Sequence, residues 1–409
     1  MNRALSVVPV RRQLTNGLSV HIFPESEFHH TFVSCTVPYG SIHDSGLPGR
    51  AHFLEHMMFA NPDQQPVKPI FHALGASTSA LTRYDVTTYQ LACTGELQKS
   101  IDVFMRMLAS PYFTPMHIEE ERAAILQELS MFADQPSWQS LQQLTRMMYG
   151  EQHPIALDVA GTRDSVHLVT PDVLYEAYNT HYVTSQMSVS VIGPVDTENI
   201  IDILEQFPAR GESGAAEKYV SKFNLAKASE PKKQRYVELE MGLPLPLIRL
   251  GFRADTGISL TEQVACMIGI EALLGDTSDF QTNGLKSGLL HSGGTWDHYY
   301  RKEFAFSSMC SYSSDPVSLY NELEDICEDI QMGTFTPVHM EYARMRWLSK
   351  YYTSWDSLKQ RCMHISEHDV IGLDFTELGA IARSLTEEDI SRAITEITVS
   401  ARLHMVVIR

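Results

Sequence analysis

The sequence is short of positive charge: 32 Lys and Arg stand against 50 Asp and Glu, for a formal net charge of -18. Such a surface repels phosphate backbones and anionic lipid, which excludes a nucleic-acid-binding or membrane-surface protein and favours neutral or basic partners. Cysteine is sparse as well. The six residues, Cys35, Cys93, Cys266, Cys310, Cys327 and Cys362, are widely spread with no Cys-x-x-Cys pair. They read as small buried hydrophobes in a reducing compartment, and not as a disulfide framework or a thiolate zinc site. No apolar run approaches the roughly 18 residues of a membrane-spanning helix. Residues 1–12 have neither the apolar core nor the small-residue cleavage site of a secretory signal. The expected location is the cytoplasm.

What remains is the composition of an ordinary globular protein, 44% hydrophobic and 20% charged over 409 residues, long enough for two or more domains. Leu18 to Phe23 alternate as a strand after an Asn16-Gly17 turn, and Thr31 to Val37 read as a second strand ending in Tyr39-Gly40. In the loop that follows, His43 reads as a surface residue. The loop leads into His52-Phe53-Leu54-Glu55-His56. If this stretch is helical, His52 and His56 project from one face and can hold one metal ion between them. Glu55, next to a ligand, could then take a proton from a water on that ion. This is the inverted form of the His-Glu-x-x-His peptidase helix, and it needs a third ligand.

The stretch Gly75 to Arg83 is rich in small side chains, among them Ala76, Ser77, Ser79, Ala80 and Thr82. It reads equally as a turn-rich loop or as an edge strand whose open backbone pairs with an extended peptide. Thr87 to Cys93 is a strand by propensity, and Leu97 to Leu108 an amphipathic helix. Thr114 caps a further helix that begins at Pro115 and runs through Leu129. On it, Glu121 and Glu128 share a face, with Ile125 or Ala124 between them. A carboxylate on an apolar stripe must be buried or paired. A helix is expected from Asp134 to Met148, an irregular segment from Gly150 to Arg163, a helix from Pro171 to Thr180 and a strand from Met187 to Ile192.

The second half repeats the first. Phe113-Thr114-Pro115-Met116-His117-Ile118-Glu119 recurs as Phe335-Thr336-Pro337-Val338-His339-Met340-Glu341, and the helix-then-strand pattern after Thr170 recurs after Thr386. The expected fold is therefore α+β, two homologous repeats, each a mostly antiparallel sheet packed with helices. The expected boundaries are an N-terminal metal-binding repeat at 1–207, a linker at 208–235 and a C-terminal non-catalytic repeat at 236–409. His117 and His339 hold equivalent places and read as structural. Opposite the His52 helix, Val264 to Leu274 contain no histidine, and Ala343 and Lys350 stand where the first half has Glu121 and Glu128. Metal chemistry is expected once, in the N-terminal half.

A His-x-x-Glu-His stretch followed at a distance by Glu-Arg and a second Glu, here Glu121-Arg122 and Glu128, resembles the pitrilysin (M16) family of zinc metallopeptidases. The resemblance covers both halves, and Gln127 to Pro136, His153-Pro154-Ile155 and Asp158 to Thr162 place it with the short bacterial type. It implies the LuxS/MPP-like fold, one Zn2+ per chain held by His52, His56 and Glu128, Glu55 as general base, and Glu121 assisting the site. It also implies that a peptide substrate pairs with Ala76, Ser77, Ser79, Ala80 and Thr82, although Ser79 stands where the family usually has Asn. Family members that act alone carry an Arg and a Tyr in the second half. Gly284 and His291 stand there instead, so a second, zinc-free subunit is expected to close a clam-shell chamber, with a homodimer as the alternative. The implied activity is endopeptidase cleavage of peptides or unfolded segments, including leader removal from a modified peptide. The alternative is a non-catalytic scaffold subunit.

Overall fold

The computed structural model describes residues 9–44, 46–60, 67–211, 235–334, 340–399 and 402–409. The expected linker falls mostly outside these residues, as does His339. Two mixed sheets account for the strands. The first contains β1 (Val10–Gln13), β2 (Ser19–Pro24), β3 (Thr31–Val37), β4 (Ala76–Thr82), β5 (Thr87–Cys93) and β6 (Ser188–Gly193) in the order β1-β2-β6-β3-β5-β4. The second contains β7 (Tyr236–Leu239), β8 (Leu247–Arg253), β9 (Thr295–Tyr300), β10 (Ala305–Tyr312) and β11 (Leu403–Ile408) in the order β7-β11-β8-β10-β9. Each is antiparallel but for one pair, β2 with β6 and β7 with β11. The two sheets carry the repeat. The short β1 and the helix Thr197–Glu205 were not anticipated, and the segment expected to be irregular holds a 3-10 turn at Pro154–Ala156.

The central strands of the first sheet are buried on both faces, and the two faces differ in chemistry. Val33, Cys35 and Val37 of β3 join Val189 and Val191 of β6 in the hydrophobic core, while Ser34, Thr36, Ser188 and Ser190 alternate with them and point the other way. Small hydroxyl side chains let a helix approach the sheet closely. That helix is Leu358–Val370, from the second half of the chain. Ser366 bonds to Ser34 and Thr36 at 2.8 Å each, and the Cys362 thiol donates to the Ser190 carbonyl at 3.2 Å.

The exchange is reciprocal. The helix Pro136–Tyr149, from the first half, lies on β8 and β11 of the second sheet. Gly251 of β8 makes room for it, since a Cβ there would lie 2.4 Å from Met148 and 2.6 Å from Leu144. Buried Arg249 donates to Ser140 at 2.9 Å and Arg253 to the Met148 carbonyl at 3.0 Å. The compact units accordingly draw on both halves of the sequence, where the expectation put one unit in each. One unit comprises 1–129, 158–220 and 354–375; the other comprises 130–157, 221–353 and 376–409. Among the described residues no helix is long and apolar enough to cross a membrane.

Arg361 pins the borrowed helix to the first sheet. Its guanidinium is buried, donates to Glu25 at 2.8 Å and stacks over the rings of Phe23 and Trp355 at 5.5 and 5.3 Å. Truncating one member of a buried pair strands the other charge. Arg361→Ala is expected to cost about 3 kcal/mol, read as an earlier midpoint of urea unfolding followed by tryptophan fluorescence.

Candidate metal centre

The helix Arg50–Met57 begins at Gly49, whose φ of 85° is in the left-handed region. Glycine is needed there twice over. A Cβ would also meet the Ala160 carbonyl at 2.5 Å, where the backbone crosses Gly161. Ala51, Phe53, Leu54 and Met57 are fully buried, which leaves the histidines on the remaining stripe. His52 and His56 rings lie 4.7 Å apart in an edge-on arrangement.

The helix Pro115–Ala133 supplies the opposing carboxylates. Thr114 accepts from the His117 amide at 3.2 Å, as expected of an N-cap. Ile118, Arg122 and Ile125 are buried, and Ala124 is exposed. The Arg122 guanidinium donates to the carbonyls of Val166 and Val169 and pairs with Glu119. With that side anchored, Glu121 and Glu128 are presented to the histidines.

Glu128 Oε2 lies 3.6 Å from His52 Nε2 and 3.5 Å from His56 Nε2, and one ligand atom from each of the three lies within 4.8 Å of the others. These separations are too long for hydrogen bonds. They suit an ion: a tetrahedral centre with bonds of about 2.1 Å holds its ligands about 3.4 Å apart. His56 Nδ1 meets Glu121 Oε2 at 3.1 Å, so a carboxylate fixes the ring with Nε2 turned to the site. Burial, reinforced by His56, pushes the His52 pKa down to about 3, which keeps that imidazole neutral and fit to ligate. Burial also lowers the His56 pKa, but the Glu121 bond and the charges of Glu55, Glu128 and Glu121 outweigh it and raise it overall.

Glu55 points into β4. Its Oε2 accepts from Thr82 Oγ1 at 2.7 Å, and burial raises its pKa against the pull of that bond. β4 is an edge strand, paired on one side only with β5. Of the two readings of Gly75 to Arg83, the strand is the one observed. Alternation places Ala76, Ala80 and Thr82 on the face of Glu55, while Ser77 and Ser79 are exposed on the other, Ser79 opposite Gln90. Thr82 therefore spends its hydroxyl on Glu55, which the motif did not foretell. His43 is also unlike its expectation. It is buried, its Nδ1 accepts from the Gly40 amide at 3.0 Å, and its ring lies beside Tyr39 and His181. Packing against the helix Arg50–Met57, not solvent, surrounds this loop.

The sequence model described as insulinase (peptidase family M16) matches residues 25–162, and that described as the M16 inactive domain matches residues 168–346. The chain belongs to the M16 peptidase family. Among its relatives, the uncharacterised zinc protease YmfH of Bacillus subtilis is 26% identical over 96% of this chain and 94% of its own. A probable mitochondrial-processing peptidase β subunit of Arabidopsis thaliana is 27% identical over 49% of this chain and 39% of its own. In fold, an M16-like peptidase of Alicyclobacillus acidocaldarius superposes with a TM-score of 0.90 at 24% identity, over 100% of this chain and 99% of the other. Pitrilysin does so at 0.76 and 16% identity, over 100% of this chain and 45% of its own.

The M16 motif occurs a second time, as His364-Ile365-Ser366-Glu367-His368 on the exchanged helix. Its environment is different. Glu367 accepts from Arg83 at 3.2 Å and Thr88 at 3.1 Å, and both histidine rings pack against Phe375. Among the described residues no third ligand joins them.

The M16 inactive domain has its own version of the centre. β8 is the counterpart of β3, and the same register places Glu271, on the helix Leu260–Leu274, where the first half has Glu55. Ile268 and Ala272 take the places of His52 and His56. Lys350, the counterpart of Glu128, puts its Nζ 2.7 Å from Glu271 Oε2. An ammonium group of the chain thus neutralises the buried carboxylate. Replacing both members of such a pair by apolar side chains costs little, whereas removing one leaves a buried charge. Lys350→Met is expected to lower the unfolding midpoint in urea and Lys350→Met with Glu271→Met to restore most of the loss, the double-mutant cycle giving the coupling.

Proposed function

We propose that this chain is a zinc-dependent endopeptidase that cleaves peptides or unfolded segments bound as an added strand along β4. The observation that carries the reading is the convergence of His52, His56 and Glu128 at ion-sized separations with a buried carboxylate, Glu55, one residue from a ligand. One zinc per chain would be held by those three, supplying Lewis acidity to a water and to the scissile carbonyl. Glu55 takes the proton of the attacking water and passes it to the leaving amine, a task suited to a carboxylate whose pKa burial has raised. Thr82 holds Glu55 in place, and Glu121 holds the His56 ring.

The substrate is read through its backbone. An extended peptide adds main-chain hydrogen bonds to the open side of β4, so side-chain preference is weak and folded proteins are excluded. This backbone reading survives Ser79 in place of the family's Asn. Where the family's lone-acting members carry an Arg and a Tyr, this chain has Gly284 and His291, and Gly284 is buried in the helix Asp279–Ser287, where a Cβ would lie 2.8 Å from Leu290. That supports a zinc-free partner subunit as the source of the clamp. Removal of a leader from a modified peptide is the dedicated form of the activity.

Glu55→Gln is expected to keep one zinc per chain by metal analysis and to abolish cleavage of a fluorogenic peptide library. Retained turnover would overturn the assignment, and absence of zinc from the wild type would leave a scaffold subunit as the better account. Thr82→Val should also keep its zinc and lose roughly tenfold in kcat, the scale of effect seen when an orienting hydrogen bond is removed from a metal site.

A further inference from the structure

The metal-binding helix lacks a cap of its own. Its N-cap residue is Gly49, which has no side chain to accept from the first-turn amides. A residue outside the helix does that work. Asp44 Oδ1 accepts from the Ala51 amide at 3.0 Å, and Asp44 Oδ2 accepts from the Gly49 amide at 2.9 Å. The Tyr39 hydroxyl donates to Oδ1 at 3.1 Å and accepts from Arg50 Nε at 3.0 Å, closing a ring of contacts between the loop and the helix. Asp44 is buried, and the Tyr39 ring stacks on His181 at 4.0 Å. Burial pushes the Asp44 pKa up to about 7, against Arg50 and these donors, which favour the charged form.

The same loop is tied to the other side of the site. The Ser41 and Ile42 amides donate to the carbonyls of Arg83 and Tyr84 at 3.1 and 2.9 Å, directly after the strand whose last residue, Thr82, holds Glu55. Gly40 permits this, since a Cβ there would lie 2.5 Å from the Arg83 carbonyl. One short loop therefore sets both where the helix starts and where the partner of Glu55 lies. His52 is the third residue of that helix, so a shift of its first turn moves a ligand atom directly.

We propose that Asp44 is a positioning residue for the metal centre: its carboxylate replaces the missing N-cap of the Arg50–Met57 helix and fixes the height at which His52 and His56 meet Glu128. The inference rests on the zinc reading of that site. Cap residues usually affect stability alone, whereas here the capped turn carries a ligand, so metal affinity should respond more than folding does.

The test uses the full chain and the metal alone, at about pH 8 so that Asp44 is ionised. Asp44→Asn, which has one acceptor oxygen in place of two, is compared with the wild type by zinc competition against a chromophoric chelator and by the visible absorption of the cobalt(II) form. The expected result is a loss of zinc affinity of about 10–100-fold, the range for groups that orient ligands, with a changed cobalt spectrum and an unchanged KM for a peptide substrate. Tyr39→Phe, which only cuts the tie between Asp44 and Arg50, should shift the affinity in the same direction by less, and it serves if Asp44→Asn does not fold. Wild-type affinity and a wild-type cobalt spectrum in the folded variants would overturn the proposal. A wild type that binds no zinc would instead overturn the reading on which it rests.

Discussion

A buried guanidinium sets the spacing on which the site depends. Arg122 is fastened to the backbone carbonyls of Val166 and Val169, ahead of the helix Pro171–His181; it directly follows Glu121 in the chain and lies about one helical turn from Ile125. Because that side of the acidic helix cannot slide, Glu128 arrives at ion distance from two imidazoles and Glu121 at hydrogen-bond distance from one. A carboxylate one turn higher or lower, about 5.4 Å away, would miss both rings. The arginine thus does its work by fixing a length, while the charges that face the histidines come from its neighbours.

Much of this was legible in the sequence. The His-x-x-Glu-His spacing, the Thr114 cap and the shared face of Glu121 and Glu128 are local properties of helices, and helical periodicity is the strongest signal a chain carries. β2 and β3 were legible as strands between turn signals, and β5 through the β-propensity of its residues. The partners of the local elements were not. Nothing near Glu55 in sequence names Thr82 as its donor, and nothing near Gly49 names Asp44 as its cap, because each pair meets only once the sheet is formed. The burial of His43 was not legible on similar grounds: a polar residue in a loop is ordinarily solvated, but this loop packs against a helix.

Two copies of one motif make the limit of pattern reading concrete. His52 to His56 and His364 to His368 have the same spacing on the same kind of element, and among the described residues only the first is joined by a third group, Glu128, at ion-sized separations. The second spends its glutamate on an arginine and a threonine. Spacing establishes that two rings can share an ion; what lies opposite decides whether they do. The counterpart in the inactive domain makes a complementary point, since Glu271 keeps its buried place by meeting an ammonium group built into the chain.

The crossing of helices between the halves bears on how the protein is made. All six strands of the first sheet have left the ribosome once Gly193 has, yet the helix that covers their hydroxyl face ends only at Val370. The nascent sheet must carry that face bare while β7 to β10 are still being translated. Serine and threonine at those positions then serve a second purpose: a face waiting for its helix is wetted by water, where valine in their place would invite aggregation on the polysome.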